Sequence, residues 1–343
     1  MNPIQFDSAK PIDIIAVGRA TIDLNPNELH RPLSEVATFS MYLGGSPANI
    51  VVGMSRLGKK TGFIGKISND QFGQFITKSF QKEGVDVSNL TPAGNGENLG
   101  LTFTEILSPT ESSILMYRRG IADLQLSVDD VSEEYIKKAK ILLVSGTALS
   151  ASPSREACFL AMNYAKKHGA VIIFDIDYRN YTWQSKAEIA VYYSLAGKLS
   201  DIVIGSREEF DLMEMLPPDN DVKSYQLADK YLEYGNKIAI IKFGKKGSVA
   251  YCGDTLAYKV ESFPVKLLKS FGGGDAYASA FIYGLLENWA VPKALEFASA
   301  SASMVVASHS CSTAMPAAKD IAAFIAARTE QVVTQIGWKD DIE

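Results

Sequence analysis

The sequence has few of the residues that build metal centres and disulfide frameworks. Its 343 residues include three cysteines and three histidines, all far apart, at Cys158, Cys252, Cys311, His30, His168 and His309. An odd number of widely separated cysteines is typical of reduced thiols, so we expect a cytoplasmic protein without disulfides or a zinc site. The scattered histidines give a histidine-based metal site or a Ser-His-Asp triad little to build on.

An excess of positive charge and long apolar runs are also missing. The formal net charge is −5, which disfavours a broad nucleic-acid surface, because such a surface needs clustered Lys and Arg. No uncharged apolar run is long enough to cross a bilayer, and residues 1–13 lack the basic and apolar regions of a secretory signal. We therefore expect neither a nucleic-acid nor a membrane partner.

Short apolar runs rich in β-branched residues do recur along the chain, at 14–18, 140–146, 170–177, 201–206 and 237–244. Each is too short for a helix and apolar on both faces, as are strands buried in a parallel sheet. Stretches with helical spacing accompany them, at 152–169, 187–199, 222–235, 275–288 and 292–308. This alternation predicts an α/β fold with a doubly wound, mostly parallel sheet flanked by helices, which binds ligands at the carboxyl ends of its strands.

Two segments break this alternation. Residues 99–120 are typical of a hairpin around a Ser-Pro-Thr turn, and residues 36–45 also have strand character. We expect them to form a small β-sheet lid over the site, built from about 19–43 and 97–121. The alternative is an antiparallel extension of the main sheet.

The expected domain organisation is simple. One core domain spans 12–325, with the lid inserted in it, and a C-terminal tail covers 326–343 and is loosely held in its last residues. An exposed strand at the edge of the lid invites pairing with a second copy, so a homodimer through the lid is plausible.

A glycine-rich loop, KSFGGGDAYASA, lies at 269–280. It is not the dinucleotide fingerprint G-x-G-x-x-G, because Tyr277 stands where the last glycine belongs. Consecutive glycines allow close approach of a ligand, and a helix that starts here would direct free N–H groups at an anion. Asp275 could cap that helix or accept a proton from a substrate hydroxyl, and this stretch alone leaves both roles open.

The stretch GMSRLGKK at 53–60 comes close to a phosphate-binding P-loop, but the fit fails. Lys60 stands where Ser or Thr should bind magnesium, and the stretch ends a helix whereas a P-loop opens one. The chain therefore has no standard nucleotide motif.

A second glycine motif, GGSPANIVVGMSRLG at 44–58, changes the interpretation of the first. Together the two motifs resemble those of the ribokinase-like (PfkB) carbohydrate kinases, which carry G-G-x-x-x-N-x-A-x-x-x-x-x-L-G early and D-T-x-G-A-G-D late. The resemblance covers about 12–325. It implies a ribokinase-like fold and transfer of a phosphoryl group from ATP to a sugar, with Mg²⁺ as cofactor and a K⁺ requirement left open.

The resemblance also implies roles for individual residues. Asp275 matches the catalytic base of the family, and Gly272, Gly273 and Gly274 match its anion hole for the γ-phosphoryl group. The residues that match sugar-binding positions are Asp23, Gly44, Gly45 and Asn49. Those that match the nucleotide side are Lys242, Gly244, Gly247, Asp177, Ser270 and Ser299. Glu209, in IGSREEF, matches the metal-associated carboxylate, with Glu208 as its neighbour.

The chain departs from the family pattern at the start of the late motif. Lys269-Ser270 replaces Asp-Thr, so a cation stands where the family has an acidic neighbour of the metal. Ser206 replaces the Asn of the N-x-x-E motif, and Gly273 replaces an alanine. These changes bear on the metal arrangement and leave the base in place.

Arginines in two motifs, MYRRG (116–120) and FDIDYRNYTW (174–183), indicate the kind of sugar. A guanidinium pairs bidentately with a carboxylate, for which a neutral sugar offers no partner. Tyr117, Arg118 and Arg179 resemble the substrate-binding residues of the branch that acts on acidic keto-deoxy sugars. The alternative is that Arg179 pairs with Asp175 or Asp177 and that the arginine pair of the hairpin is simply exposed.

Two other functions remain as alternatives. A dinucleotide-dependent oxidoreductase would suit the sheet, but the missing G-x-G-x-x-G argues against it. A non-catalytic sugar sensor on a kinase scaffold is suggested by Lys269 and Ser206, although the intact Asp275 and glycine loop favour an enzyme.

Overall fold

The computed structural model of the chain describes residues 2–181, 183–253, 255–330 and 332–340. In chain order these residues form the strands β1 (Ile12–Val17), β2 (Thr21–Pro26), β3 (Phe39–Gly44), β4 (Thr61–Ile67), β5 (Asp86–Pro92), β6 (Leu101–Ile106), β7 (Ser112–Tyr117), β8 (Ala139–Ser145), β9 (Val171–Asp175), β10 (Ile202–Ser206), β11 (Ile238–Lys242), β12 (Ser248–Cys252), β13 (Leu256–Val260) and β14 (Val333–Ile336).

The helices within the same residues are α1 (Ser46–Arg56), α2 (Gln71–Lys82), α3 (Glu133–Ile136), α4 (Ser154–Lys167), α5 (Lys186–Leu199), α6 (Arg207–Met213), α7 (Ser224–Glu233), α8 (Gly273–Leu286), α9 (Val291–Val306) and α10 (Ala318–Ala326). The apolar residues of α8 and α9 are largely buried, which fits their mutual packing against one side of the main sheet.

The main sheet has the strand order β14-β13-β12-β11-β10-β9-β8-β1-β4-β5. From β11 to β5 every pairing is parallel, and β12, β13 and β14 extend the sheet antiparallel at one edge. The central strands are buried on both faces, since all five residues of β9 are buried. Two hydrophobic clusters, one on each face of the sheet, form the core.

The predicted strands and helices of the core are confirmed, with differences of a few residues at their ends. The strands at 140–146, 170–177, 201–206 and 237–244 are neighbours in the order in which they occur in the sequence. Their carboxyl ends therefore lie along one edge of the sheet, where the loops that follow them can meet.

A separate, smaller sheet has the order β3-β2-β6-β7. Its two faces differ. Asp23 pairs with Tyr42 and Thr102 on the face that turns toward the core, whereas Leu24 lies in a row with Met41 and Phe103 on the outer face. The alternative prediction, an antiparallel extension of the main sheet by these segments, is wrong.

The predicted tail contains an ordered element. The strand β14 pairs with β13, and the Trp338 ring lies against Tyr251, with its Nε1 donating to Asp229. Residues 331 and 341–343 of the predicted tail lie outside the described part of the chain. Within that part, no helix is long and apolar enough to cross a membrane.

Candidate active site

Two helix N-termini meet above the carboxyl ends of the central strands. The helix α1 begins after Gly45, whose φ is +98°, and α8 begins after Gly272, whose φ is +84°. Both positions lie in the left-handed region that glycine adopts without strain. The predicted sugar motif and the predicted phosphate loop are thus brought together by the packing of α1 against α8.

Asp275 lies in the first turn of α8, half-buried. Its Oδ2 accepts a hydrogen bond of 2.8 Å from Asn49 Nδ2, and Ser46, whose hydroxyl donates to Asp175, lies close by. Burial, with the charge of Asp177, raises the pKa of Asp275, while the bond from Asn49 and the nearby Ser46 oppose that rise. A carboxylate more basic than usual suits the removal of a proton from a hydroxyl.

Two glycines of the loop, Gly272 and Gly273, have no room for a side chain. A Cβ on Gly272 would overlap the Cys311 Sγ, and one on Gly273 would lie 2.8 Å from Val306 Cγ1. Gly274 faces the site, and the Lys242 ammonium lies 3.4 Å from the position of its missing Cβ. The loop therefore presents backbone and a lysine side chain to whatever binds above it.

Asp23 projects from β2 toward the same space. Gly44, which lies on the neighbouring strand β3 and pairs with Thr21, makes room for it, because a Cβ there would overlap the Asp23 carboxylate. Burial raises the pKa of Asp23 to about 6, against the opposing influence of Arg19. The carboxylate is thus held in a position where a bound hydroxyl group could donate to it.

Asp177 is the centre of a buried charge group. Its Oδ2 accepts from Arg19 at 2.9 Å and from Ser145 at 3.0 Å, while its Oδ1 lies 3.0 Å from Arg179 Nη2. Burial opposes ionisation of this carboxyl group, but the two arginines outweigh it and lower the pKa of Asp177. The alternative prediction that Arg179 pairs with Asp177 is therefore confirmed.

Arg118 belongs to the same region, since its charge influences Arg19. It is buried and donates from Nη2 to Asp123 at 2.7 Å, so the prediction that it is exposed is wrong. Among the residues that the structure describes, neither its Nη1 nor the Nε of Arg19, both buried, has a hydrogen-bond partner. Burying an unpaired donor costs free energy. A ligand whose acceptors reach these two donors would remove that cost.

Tyr117 is not brought into this group. Its side chain is 57% exposed, and its ring lies 5.6 Å from the Phe103 ring, on the outer face of the small sheet. Successive residues of a strand point to opposite faces, so Met116 and not Tyr117 shares the face of Asp23.

A cleft of about 450 Å³ adjoins the glycine loop. It is lined by most of the residues predicted for the nucleotide side, namely Lys242, Gly244, Gly247, Ser270 and Ser299, together with Gly273 and Gly274. Apolar side chains such as Val260, Phe263 and Val306 form another part of its wall. Asp177 does not line this cleft and lies with the arginines instead.

Comparisons with known proteins show the family of the chain. Residues 12–318 match the pattern of the pfkB family of carbohydrate kinases. A protein named 5-dehydro-2-deoxygluconokinase from Clostridium tetani is 62% identical over 96% of this chain and 98% of its own length. One of the same name from Geobacillus kaustophilus is 53% identical over 95% of this chain and 97% of its own length. The chain is a pfkB family carbohydrate kinase.

Solved structures confirm the ribokinase-like fold. A putative ribokinase II from E. coli, in complex with ATP and Mg²⁺, superposes with a TM-score of 0.82 at 23% identity, over 92% of this chain and all of that chain. A fructokinase from Vibrio cholerae, with fructose, ADP and a calcium ion bound, superposes with a TM-score of 0.79 at 22% identity, over 92% of this chain and 99% of that chain.

The predicted metal residue of this pfkB kinase, Glu209, is already engaged. Its Oε1 accepts from the backbone N–H of Tyr178 and its Oε2 from that of Ser206, the N-cap of α6. Within the described residues, no three or more His, Cys, Asp or Glu side chains cluster as a metal site. A single carboxylate such as that of Glu209 is compatible with Mg²⁺, which keeps several waters and is held mostly by substrate phosphates with one or two carboxylates.

Sequence reasoning missed three residues of the site. Ser46 bonds Asp175 Oδ2 at 2.7 Å as well as approaching Asp275. No neighbouring residue in the sequence identifies Arg19, which lies between β1 and β2, as a residue of the site. Lys269 was noticed as a departure from the family pattern, but its complete burial was not foreseen, because a lysine in a loop is ordinarily exposed.

Proposed function

We propose that this carbohydrate kinase transfers the γ-phosphoryl group of ATP to O6 of 5-dehydro-2-deoxy-D-gluconate, a step of myo-inositol breakdown. The observation that carries the substrate is the arginine group beside Asp275, formed by the buried Arg19 and Arg118 and the half-buried Arg179. Such a group suits a sugar that bears a carboxylate. Relatives with 53% to 62% identity over nearly the whole chain carry the name of this activity.

Asp275 is proposed as the general base. It receives the proton of the sugar hydroxyl as the oxygen attacks phosphorus, and Asn49 holds its carboxylate in place. The N–H groups at the start of α8 stabilise the charge that spreads over the phosphoryl oxygens. Lys242, near Gly274, adds a positive charge on the nucleotide side.

The other end of the sugar is proposed to lie against the guanidinium groups. Asp177 orients Arg19 and Arg179 by accepting from both, which makes it a positioning residue on the sugar side and not a nucleotide ligand. Asp23, for which Gly44 leaves room, accepts from a sugar hydroxyl, and Gly45, whose backbone lies close to that of Arg19, borders the same sugar site. Holding both ends of the substrate places the reacting hydroxyl near the phosphorus.

The nucleotide is proposed to occupy the 450 Å³ cleft, with Gly244, Gly247 and Ser270 near its phosphates. Ser299, whose hydroxyl donates to the Glu261 carbonyl, lies on the wall of the cleft that is proposed to face the adenine base. Mg²⁺, when bound to the ATP phosphates, neutralises their charge, and Glu209 is placed to accept hydrogen bonds from water on the ion.

The small sheet is proposed to act as a lid on a core of 12–325, closing over the sugar to exclude water. Its outer face carries a row of apolar side chains across all four strands, of which Met41 and Leu115 are 41% and 40% exposed. We propose that this face pairs with a second copy in a homodimer. The described cysteines are unpaired and buried, which suits the cytoplasm.

The decisive experiment is a panel of substrates, with ADP release as the readout and Asp275→Asn as the blank. We expect turnover with 5-dehydro-2-deoxygluconate to exceed that with 2-keto-3-deoxygluconate or fructose, and the blank to lose kcat while it still binds ATP. Preference for either other sugar would reassign the substrate. Absence of turnover with every sugar would favour a sugar-binding sensor.

A further inference from the structure

Lys269 is a fully buried lysine beneath the glycine loop. Its Nζ donates to the Phe271 carbonyl at 2.9 Å, lies 3.4 Å from Cys311 Sγ, and stands 4.7 Å from the centre of the Phe271 ring. In the described part of the chain these partners are a carbonyl, a thiol and an aromatic face, and no carboxylate pairs with the ammonium. A carbonyl oxygen and a ring face both attract a cation.

The position of this ammonium relates it to phosphoryl transfer. It lies 3.2 Å from the point where a Cβ of Gly272 would stand, immediately behind the N-cap of α8. Because the carbonyl and the N–H of one peptide unit point in opposite directions, the bond to Phe271 O fixes the direction of the Gly272 N–H. The ammonium also adds its charge to the positive end of the α8 dipole.

We propose that Lys269 is a built-in monovalent cation, which holds the glycine loop in its anion-binding conformation and supplies a fixed positive charge behind the transferring phosphoryl group. It is a positioning residue, since its hydrogen bond is to the loop and it acts through the loop, although its side chain also lines part of the nucleotide cleft. The charge of Lys269 also acts on Asp23, across the loop. It partly offsets the rise that burial causes in the pKa of Asp23. The inference rests on the proposed kinase reaction, and it implies that turnover needs no added K⁺.

The first test uses the unmodified enzyme. We expect kcat in a buffer whose only monovalent cation is tetramethylammonium to equal kcat in K⁺ within about twofold. That cation is too large to enter a site the size of a lysine ammonium. A strict dependence on K⁺ would overturn the proposal without any variant being made.

The second test uses Lys269→Ala, with Lys266→Ala as the matched control, because Lys266 is exposed three residues earlier and does not line the nucleotide cleft. We expect kcat of Lys269→Ala to fall at least about tenfold, and added K⁺, ammonium or methylammonium to restore about threefold or more. The control should lose nothing and gain nothing. A variant that keeps its kcat, or that loses it with no response to any small cation, would contradict the proposal.

A third measurement does not depend on the sugar. In Lys269→Ala we expect affinity for ATP to fall more than affinity for ADP, because only ATP places a γ-phosphate over the loop. Equal losses would indicate a general structural defect and reject the electrostatic role. Lys269→Ala could lose affinity for ATP more than for ADP, as expected, while the unmodified enzyme phosphorylates none of the sugars. In that case the proposed substrate is wrong and the role of Lys269 stands.

Discussion

At the scale of single residues, the site is an arrangement of carboxyl groups with different basicities. Burial raises the pKa values of Asp275, Asp175 and Asp23, whereas Arg179 and Arg19 hold that of Asp177 low despite burial. Asp275, which must take a proton, thus has a raised pKa, whereas Asp177, which must stay charged, has a lowered one. Hydrogen-bond and charge partners next to these carboxyl groups set their pKa values, so removal of such a partner should shift the pH dependence of activity.

Asn49→Ala should move the acid limb of the kcat/KM profile to higher pH. The hydrogen bond from Asn49 favours ionised Asp275, so its loss raises a pKa that burial has already raised. The base then protonates earlier as the pH falls. Steady-state rates between pH 5 and 9 provide the measurement, and an acid limb that stays in place would refute the role of this bond.

Arg179→Ala should raise KM for the acid sugar at least about tenfold, as expected for a lost charged contact, with little effect on a neutral sugar such as fructose. Arg119→Ala is the control, because Arg119 is exposed next to the buried Arg118. Equal losses on acid and neutral sugars would remove the carboxylate role from Arg179.

Asp23→Asn should stabilise the fold at pH 8 and not at pH 4. The folded pKa of about 6 lies above the unfolded value of roughly 3.9, so the stability from proton binding is present below the unfolded value and is lost as the pH rises through about 6. A neutral amide avoids that loss, which is at most about 3 kcal/mol. Urea unfolding at the two pH values tests this, and a gain of the same size at both would contradict it.

At the scale of elements, the start of α8 has a left-handed glycine, Gly272, and neither Gly272 nor Gly273 has space for a Cβ. The strand and helix pattern of the core was predictable from the sequence, because buried parallel strands are short, apolar and bounded by polar turns. The short β12 and β13 and the helices α3 and α6 were not predicted. The two strands form by antiparallel pairing toward one edge of the sheet, and the two helices depend on capping residues. A pattern of apolar residues does not reveal either.

Gly272→Ala should cost both stability and turnover, whereas Gly58→Ala should cost stability alone. The two residues have φ values of +84° and +85°, so both variants incur the left-handed strain of about 1 kcal/mol. No atom lies within 4 Å of a Cβ on Gly58, while the Cβ on Gly272 would overlap Cys311. Thermal unfolding reports the backbone strain that both variants share, and kcat reports the displacement of the loop that only Gly272→Ala causes. Equal kcat values for the two variants would show that the loop tolerates the added Cβ.

At the scale of the whole molecule, the site is assembled from segments that are distant in the sequence. The resemblance to the pfkB family predicted Asp275, the glycine loop and the nucleotide cleft, because each lies in a contiguous motif. The links between motifs were not predictable, since Arg19 meets Asp177 across 158 residues and Asn49 meets Asp275 across 226. A motif specifies its own residues, and the fold decides which motifs meet.

Leu115→Lys should convert a dimer into a monomer. Leu115 lies in the apolar row on the outer face of the small sheet, and a lysine there would place two like charges in the proposed interface. Analytical ultracentrifugation gives the oligomeric state, with Val191→Lys as a control on α5, where Val191 is 55% exposed. A monomeric unmodified enzyme, or a dimer that survives the change, would exclude this interface.

The arginine group beside the sugar site also has a consequence for charge balance. The ion pairs join three guanidinium groups, those of Arg19, Arg118 and Arg179, to only two carboxylates, those of Asp177 and Asp123. Counted over these five side chains alone, the group carries one surplus positive charge. A sugar with a single carboxylate brings the charge of these five side chains to zero, whereas a neutral sugar leaves the surplus and a dianionic sugar reverses its sign. Selectivity for a monoacid would then come from charge balance within this ion-pair group as well as from the shape of the pocket.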